Sequence, residues 1–394
     1  MSEDQVEFIS EEDIEVYDLD PATFGQSVLW GTDWTVETIL AQLRRGNIEI
    51  NPRFQRRDAW SKPIKSRFIE SVILGLPVPQ VVLAEMRDQR GKYVILDGKQ
   101  RLLSLMQFAG IAEDSENNRF ALSGLEVRRD LLRKRFRNFE QEPALRADLD
   151  AFQTHTIRAV VIRNWPSLAF LHVVFQRLNT GSLKLSAQEL RQAIAPGPFT
   201  YFADDETIEC EELQRLLGRD TPDPRMRDVE LLVRFIGFQM FLSRYTGRMK
   251  EFLDETCIDL NRDWATASIK IGVLTVNFKA AIAVLELIFA EDGVARKHGS
   301  RLFNRSIFDA LVYYAAQPQI REAMAAQPDV VRVAYRGLIA DAEFQEAVES
   351  DTAGLPHTAA RLGMWGRSLS VGLGIEFDIP ELVMDGNGQQ RFTA

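Results

Sequence analysis

The sequence predicts an α+β protein in which a mixed-sheet N-terminal domain precedes an all-helical C-terminal domain. Apolar runs and helical patterns alternate between residues 48 and 109, and the apolar stretch at 154–163 predicts a further strand. Beyond Ala195-Pro-Gly-Pro198, apolar residues recur almost wholly with helical spacing. We therefore divide the chain into an acidic segment (1–29), a mixed domain (30–195) and a helical domain (199–394).

Composition and charge are those of a globular protein without strong bulk affinity for nucleic acid. Hydrophobic residues make up 45% of the chain and charged residues 26%. The formal net charge of -10 argues against a histone-like DNA binder. Nine acidic residues and no Lys or Arg lie within residues 1–20, so the remainder is nearly neutral and can carry basic patches. We expect this acidic segment to be solvated, or alternatively to compete with nucleic acid for a basic groove.

The cysteines, histidines and apolar runs limit the cellular compartment and the kinds of active site that we expect for this protein. Cys210 and Cys257 form no CxxC pair, and a reducing cytoplasm is the simplest expectation. No apolar run reaches the length of a membrane span, so we expect no membrane partner. The four histidines are scattered, which argues against a paired-histidine metal site, and a GxxxxGK[ST] loop is absent, which excludes a conventional P-loop.

The most informative stretch is the turn at Asp97-Gly98, which follows an apolar strand and precedes a helical pattern. The first amides of a helix have no internal partner, and such amides bind anions, phosphate above all. Gly98 allows a ligand to approach the backbone closely, and Arg101 offers a bidentate fork for phosphate. On these residues alone, an ordinary strand-turn-helix with Asp97 as a cap is an equal alternative.

Three further stretches carry candidate site residues. Gln55 and Arg56 lie in an extended, arginine-rich segment before Trp60, which can buttress a ligand site or simply fill the core. Glu70 adjoins the apolar stripe of a predicted helix, where a partnered rim carboxylate is the alternative to a catalytic one. The turn Asn179-Thr180-Gly181 can present amides to a ligand or serve as a helix C-cap.

A basic stretch between residues 127 and 137 carries six basic residues and one acid, interleaved with Phe136. Its pattern predicts a basic helix, and basic side chains beside aromatic rings suit a nucleic-acid backbone and its bases. A solvated amphipathic helix is the alternative. The DNA-binding residues predicted here are Arg128, Arg129, Arg133, Lys134, Arg135 and Arg137.

Four stretches resemble, in order, the motifs of one family. Phe54-Gln55-Arg56-Arg-Asp-Ala-Trp60 resembles its QRxxxW element, and residues 68–79 resemble the helix and proline connector that follow. Asp97-Gly98-Lys99-Gln100-Arg101 resembles its DGQQR signature. Residues 175–191, with Asn179-Thr180-Gly181 and Glu189, resemble its FxxxNTGxxLxxxEL segment. Over roughly residues 30–200 the chain thus resembles the N-terminal domain of the GmrSD modification-dependent restriction enzymes, a ParB/sulfiredoxin-like fold.

The resemblance implies a nucleotide-binding, NTP-hydrolysing domain used in defence against phage DNA, often DNA with modified bases or backbone. It implies a site lined by Gln55, Arg56, Asp97, Gly98, Gln100 and Arg101. Lys99 departs from the signature by replacing the usual first Gln, which keeps a donor and adds a charge. The HNH nuclease pattern of many relatives is not found, so cleavage is expected from another chain or from the ParB-like site itself.

We therefore expect one phosphate-sized site formed by stretches far apart in sequence. Asp97 or Glu70 would hold Mg²⁺ or orient water, and Arg101 would stabilise the transferring phosphate, which makes these three the candidate catalytic residues. The candidate phosphate-binding residues are Gln55, Arg56, Gly98, Lys99, Gln100, Arg101, Asn179, Thr180 and Gly181.

Three functions remain open at this point. The first is an NTPase sensor that couples nucleotide state to binding of phage DNA. The second is an NTP-independent nuclease or base-removing glycosylase that acts on modified DNA through the same site. The third is a silent DNA-binding module that recruits a nuclease partner chain. The expected ligands are Mg²⁺ and an NTP, and the expected partner is DNA.

Overall fold

The computed structural model describes residues 27–48, 60–87, 89–111, 120–167, 170–171, 173–174, 186–291, 293–296, 302–386 and 388–393. Contacts divide these residues into two compact units, one ending at Ile194 and the other beginning at Ala195. The first unit is built on a sheet and the second mainly on helices, which confirms the predicted α+β class.

A four-stranded mixed sheet forms the centre of the first unit. Its strands are β1 (Val28–Thr35), β2 (Val81–Glu85), β3 (Tyr93–Asp97) and β4 (Thr156–Arg163), in the order β1-β4-β2-β3. The outer pairs β1/β4 and β2/β3 are antiparallel, whereas β2 and β4 are parallel. The edge strand β1 was not predicted, and most of its side chains are exposed.

The helices of the first unit match the predicted pattern around the turn at Asp97. Thr35 caps the first helix, since its hydroxyl accepts a hydrogen bond from the Thr38 amide at 3.1 Å. Ser61 occupies the N-cap position of the second helix but makes no capping bond with its side chain. The helices are α1 (Val36–Arg44), α2 (Lys62–Ile73), α3 (Lys99–Ala109), α4 (Phe136–Gln141), α5 (Arg146–Thr154) and α6 (Ala187–Ile194), with 3₁₀ turns at Arg129–Leu131 and Pro143–Leu145.

Strands β2 and β3 are buried on both faces, which explains the unbroken apolar run before Asp97. Leu83 and Ile95 contribute to one hydrophobic cluster, together with side chains of α1, α2 and α3. Ala84 and Leu96 point to the opposite face, where a second cluster includes Leu190 of α6. Side chains packed on both faces of the sheet therefore fix the position of the C-terminal end of β3.

The second unit is helical except for a short hairpin. The segment from Pro328 to Glu349 forms two helices, because the Asp341 carboxylate accepts the amides of Glu343 and Phe344 and starts a new helix. The elements are α7 (Pro198–Ile208), α8 (Glu211–Leu216), α9 (Arg227–Phe241), α10 (Met249–Arg262), α11 (Trp264–Ile288), α12 (Arg305–Ala315), α13 (Pro318–Ala326), α14 (Pro328–Ala340), α15 (Ala342–Glu349) and α16 (Leu355–Leu373), a 3₁₀ turn at Leu242–Arg244, and strands β5 (Leu382–Met384) and β6 (Gln390–Phe392).

Helix α11 corrects the expectation that no apolar run reaches membrane length. Among the described residues it is the one helix that is long and apolar enough to cross a membrane, with 25 residues. One face of this helix is buried within the second unit. Its Phe278 ring lies 5.0 Å from Phe235 of α9 and 6.1 Å from Phe308 of α12. Its other face is exposed and includes large apolar side chains, with Ile269 83% and Leu287 78% exposed.

Candidate functional site

The candidate site lies at the turn between β3 and α3, which only glycine fits without strain. Gly98 has φ +94°, in the left-handed region, and occupies the N-cap position of α3. A Cβ at this position would lie 2.7 Å from Val81 Cγ1 and 3.3 Å from Arg101 Nη2. The backbone of the turn is thus packed directly against β2 and the Arg101 guanidinium.

Substituting Gly98 by alanine is expected to lower the free energy of unfolding of the first unit by about 1–3 kcal/mol, because both the φ angle and the Val81 contact resist a Cβ. Gly75 is the matched control, since its φ is +70° but a Cβ there would meet nothing within 4 Å. Urea unfolding of both variants measures the difference. Equal losses in G98A and G75A would show that the close contact with Val81 is unimportant.

Asp97 and Arg101 form a closed hydrogen-bonded ring around the turn. Asp97 Oδ1 accepts the Gly98 amide at 2.7 Å, and Asp97 Oδ2 accepts Arg101 Nη2 at 2.9 Å. The same Nη2 donates to the Gln80 carbonyl at 2.8 Å. Arg101 is 6% exposed, and its buried Nε has no hydrogen-bond partner among the described residues. The guanidinium is therefore held rigidly and keeps an unused donor.

The two residues between Gly98 and Arg101 connect the turn to other predicted motifs. Gln100 Oε1 accepts the backbone amide of Trp60 at 3.2 Å. Lys99 Nζ donates to Glu189 Oε1 at 2.7 Å in a buried ion pair. Trp60 and Glu189 close the QRxxxW-like and FxxxNTGxxLxxxEL-like stretches, so the structure brings the ends of both stretches to the first turn of α3.

Five predicted phosphate-binding residues fall outside the part of the chain that the structure describes. They are Gln55, Arg56, Asn179, Thr180 and Gly181. The first described residue after Arg56 is Trp60, whose ring packs against Phe68 at 5.9 Å. This contact agrees with the expected role of Trp60 as a core residue beside the site.

Glu70 is buried in a different environment from the one predicted for a metal ligand. Its Oε1 accepts the amides of Val127 and Arg128 at 2.9 and 2.6 Å, and its Oε2 accepts the amide of Glu126 at 3.1 Å. Burial by itself raises the pKa of Glu70, but the three amides, that of Arg128 first, and the Arg128 charge outweigh it and lower the pKa below the usual 4.5. These contacts give Glu70 the role of fixing the segment at 126–128.

Glu70→Gln is expected to destabilise the first unit by about 1–3 kcal/mol at neutral pH, because the amide NH₂ cannot accept a backbone N–H. Since the folded pKa of Glu70 is depressed, its stabilising contribution is present above pH 4.5 and is lost as pH falls through the folded pKa. Urea unfolding should therefore show a difference in the free energy of unfolding between wild type and E70Q, and this difference should become smaller in acid. Glu126→Gln is the control, since that carboxylate is 68% exposed; a gap as large in E126Q would contradict the assignment.

The basic stretch is not the continuous helix that the sequence predicts. Only a 3₁₀ turn and the start of α4 are helical, because Arg133 adopts φ +64° and pairs its backbone with Leu122. Arg128 is held by Asp130 at 2.7 Å and by Asp148 at 3.0 Å, and Lys134 is paired with Glu142. The side chains that remain exposed without an ion pair to a described residue are Arg129, Arg133, Arg135 and Arg137.

Two contacts at the site were not predicted from sequence. The Gln80 carbonyl, at the entrance to β2, anchors Arg101 although nothing in its side chain signals this role. Glu189 forms a capping box with Ser186 through reciprocal bonds at 2.7 and 3.0 Å. Its second role as partner of Lys99 requires the tertiary fold.

A comparison with known proteins matches the first unit to a family. A family model described as GmrSD restriction endonuclease, N-terminal domain, matches residues 36–195. The matched range begins with α1 and ends one residue after α6, so it contains strands β2, β3 and β4 and the whole turn at Asp97, but not the edge strand β1. No curated protein and no solved structure matches the chain.

Proposed function

Residues 36–195 are an N-terminal domain of the GmrSD restriction endonuclease family, and from this premise we propose that the chain is a phage-defence protein. Its turn at Asp97 binds the phosphates of an NTP and supports hydrolysis. Nucleotide state is coupled to recognition of foreign DNA, including DNA with modified bases. Family membership supports a restriction-related role that involves DNA, and the geometry of the turn supports the nucleotide site.

The observation that carries the nucleotide site is the convergence of three stretches on the first turn of α3. Gln100 accepts the backbone amide of Trp60, which lies 40 residues earlier in the sequence. Lys99 donates to the carboxylate of Glu189, which lies 90 residues later. Arg56 precedes Trp60 by four residues in sequence, and Asn179 precedes Glu189 by ten. A site for a nucleotide needs several separate donors around one phosphate group, and we propose that these stretches supply them.

The turn has the chemistry of an anion site. Helix α3 has 11 residues and its N-cap, Gly98, supplies no side-chain acceptor, so the positive end of the helix faces the turn uncapped by an oxygen. Arg101 adds a fixed positive charge with an unused Nε donor. A phosphate that accepts hydrogen bonds from Arg101 and from the first amides of α3 would satisfy both sets of donors.

Magnesium fits this site only together with the phosphates of a nucleotide. No group of three or more His, Cys, Asp or Glu able to hold a metal occurs in the described residues. Mg²⁺ commonly takes one or two carboxylates plus phosphate oxygens and water. Asp97 would hold the ion, which when bound neutralises phosphate charge, while Arg101 keeps the Asp97 carboxylate oriented.

The test is a panel of nucleotides and DNA on the purified full chain. Thermal unfolding with each NTP at millimolar concentration and Mg²⁺ should show stabilisation by at least one of them, with phosphate release that rises when modified phage DNA is added. No stabilisation by any nucleotide would overturn the proposal. Nicks or abasic sites formed without nucleotide would instead establish the NTP-independent enzyme, and DNA binding that survives Asp97→Ala without any turnover would establish the silent module.

We assign DNA contact to the four exposed arginines of the basic stretch. Arg133→Ala with Arg135→Ala should weaken DNA binding and lower the slope of log affinity against log salt concentration by about 1 for each lost phosphate contact. Arg44→Ala with Arg45→Ala, two exposed arginines at the end of α1, is the charge-matched control. Salt titrations by fluorescence anisotropy measure the slope, and an unchanged slope in the double variant would exclude this surface.

A further inference from the structure

The exposed face of α11 carries a continuous row of apolar side chains, which we call the α11 stripe. Four large side chains in it are more than half exposed, and two alanines are half-buried. The stripe consists of Ile269 (83% exposed), Val273 (58%), Val276 (66%), Ala280, Ala283 and Leu287 (78%). An apolar surface of this kind on a globular protein marks an interaction site.

The spacing of the α11 stripe is that of a coiled-coil seam. Successive members are 4, 3, 4, 3 and 4 residues apart, the alternation that keeps one line of side chains facing a partner helix. From Ile269 to Leu287 the stripe extends over about 27 Å of helix. Close approach is possible beside it, because a Cβ at Gly272 would meet nothing within 4 Å. This geometry fits a helix as the partner.

The α11 stripe is complementary to itself when its direction is reversed. Reversal about position 278 exchanges 269 with 287, 273 with 283 and 276 with 280. Both valines then face alanines, and Ile269 faces Leu287. Large side chains opposite small ones fill an interface evenly. A parallel copy would instead place each alanine against its own counterpart and leave two poorly filled layers.

The charges beside the α11 stripe do not oppose such a contact. Lys279 Nζ lies 2.7 Å from Glu206 Oε2, and Glu286 Oε2 lies 3.4 Å from Arg215 Nη2. The charges that adjoin the stripe at these two positions are therefore compensated within their own chain. Lys270, at the other flank, is exposed, and its long side chain can keep the ammonium in water.

We infer that α11 packs antiparallel against α11 of a second copy of this chain, around a two-fold axis. A two-fold interface uses the same patch on both copies, which is what a stripe complementary to its own reverse provides. Each member of the α11 stripe contacts the member with which reversal exchanges it. This dimer does not depend on the proposed nucleotide site.

Sedimentation equilibrium of the full chain tests whether a second copy binds. Wild type should sediment at twice the mass of the chain at micromolar concentration. Val276→Glu should raise the dissociation constant about 100-fold or more, because it buries an unpaired carboxylate in the seam. Val371→Glu is the matched control, since Val371 is 85% exposed on α16, outside the stripe, and should leave the dimer unchanged.

Folding of V276E is checked by circular dichroism, which should match that of wild type because Val276 is mostly exposed within one chain. A monomeric wild type would overturn the inference. So would a V276E protein that is as dimeric as wild type, because the contact would then lie on another surface.

Cysteine cross-linking tests the direction of packing. In the antiparallel dimer, position 269 faces position 287 of the second copy, while the two copies of position 269 lie about 27 Å apart along the helix axis. A disulfide needs Cα atoms within about 7 Å. A mixture of I269C and L287C chains should therefore form a cross-linked dimer on mild oxidation, with V371C as the control for random collisions. Cross-linking of either variant alone above that control would overturn the antiparallel arrangement.

Lipid is the competing occupant of the stripe, because α11 is long and apolar enough to cross a membrane. Flotation with vesicles of phosphatidylcholine and phosphatidylglycerol separates the two. A dimer that stays out of the floating fraction supports the second copy. A protein that is monomeric in buffer and floats with the vesicles, unless Val276 is replaced by Glu, would assign the stripe to lipid and overturn the inference.

Discussion

Replacing Arg101 by alanine is expected to abolish the thermal stabilisation that a nucleotide gives to the first unit. At a nucleotide concentration of 100 times Kd, a single site stabilises by about 2.7 kcal/mol, and this whole increment should be lost. The reason is that Arg101 combines a fixed guanidinium, an unused Nε donor and a position beside the first turn of α3. No compensating change elsewhere can replace a fixed cationic donor at this point.

The ligand-free protein needs a control, because Arg101 also supports the fold. Its Nη2 holds the Gln80 carbonyl and Asp97, so R101A should be less stable without nucleotide as well. The relevant quantity is therefore the difference between melting temperatures with and without nucleotide in each variant. Arg90→Ala, an exposed arginine of the β2–β3 hairpin, should keep the full difference. A full nucleotide shift in R101A would remove Arg101 from the site.

Replacing Asp309 by asparagine is expected to destabilise the second unit by about 3–5 kcal/mol, since it breaks a buried ion pair and leaves one charge uncompensated. Arg234 Nε lies 3.2 Å from both Asp309 oxygens, and Nη2 donates to Oδ2 as well. The two residues are 1% and 3% exposed. Because Arg234 lies on α9 and Asp309 on α12, their pair joins two helices of the core.

The surrounding charges make this loss larger. Glu230 Oε1 lies 3.8 Å from Arg234 Nη1 and 3.5 Å from Arg305 Nε, so a second carboxylate and a second arginine adjoin the buried pair. D309N removes one negative charge from beside these two arginines. Asp259→Asn is the control, since its partner Arg244 is 59% exposed and such pairs contribute about 0–1 kcal/mol. Similar urea unfolding of D309N and D259N would contradict the account.

Local patterns were enough to predict the turn at the centre of the site. The apolar run before Asp97, the glycine, and the helical spacing after it correspond to β3, Gly98 and α3 as the structure has them. Burial on both faces requires this composition, so periodicity and length point to the same elements. The strand β4 was predicted for a similar reason, from the apolar stretch at 154–163.

Features that depend on contacts with residues far away in the chain could not be predicted from the sequence. Strand β1 contains Gly31 and Asp33 and has little buried surface, so only its pairing with β4, 125 residues away at Asp33 and Arg158, reveals it. Glu70 binds amides 56 to 58 residues further along the chain. The basic stretch is not a continuous helix for the same reason, because the Arg133 amide donates to the Leu122 carbonyl, 11 residues earlier in the chain.

Hydrogen–deuterium exchange with and without Mg²⁺ and a nucleotide tests the central claim most directly, because peptides can cover residues 53–60, 96–102 and 178–189 in one experiment. Convergence of the three stretches on one phosphate predicts that all three peptides gain protection together in wild type and that none does so in R101A. Protection confined to a single stretch, or absent from all three at a nucleotide concentration that stabilises the protein, would contradict the account.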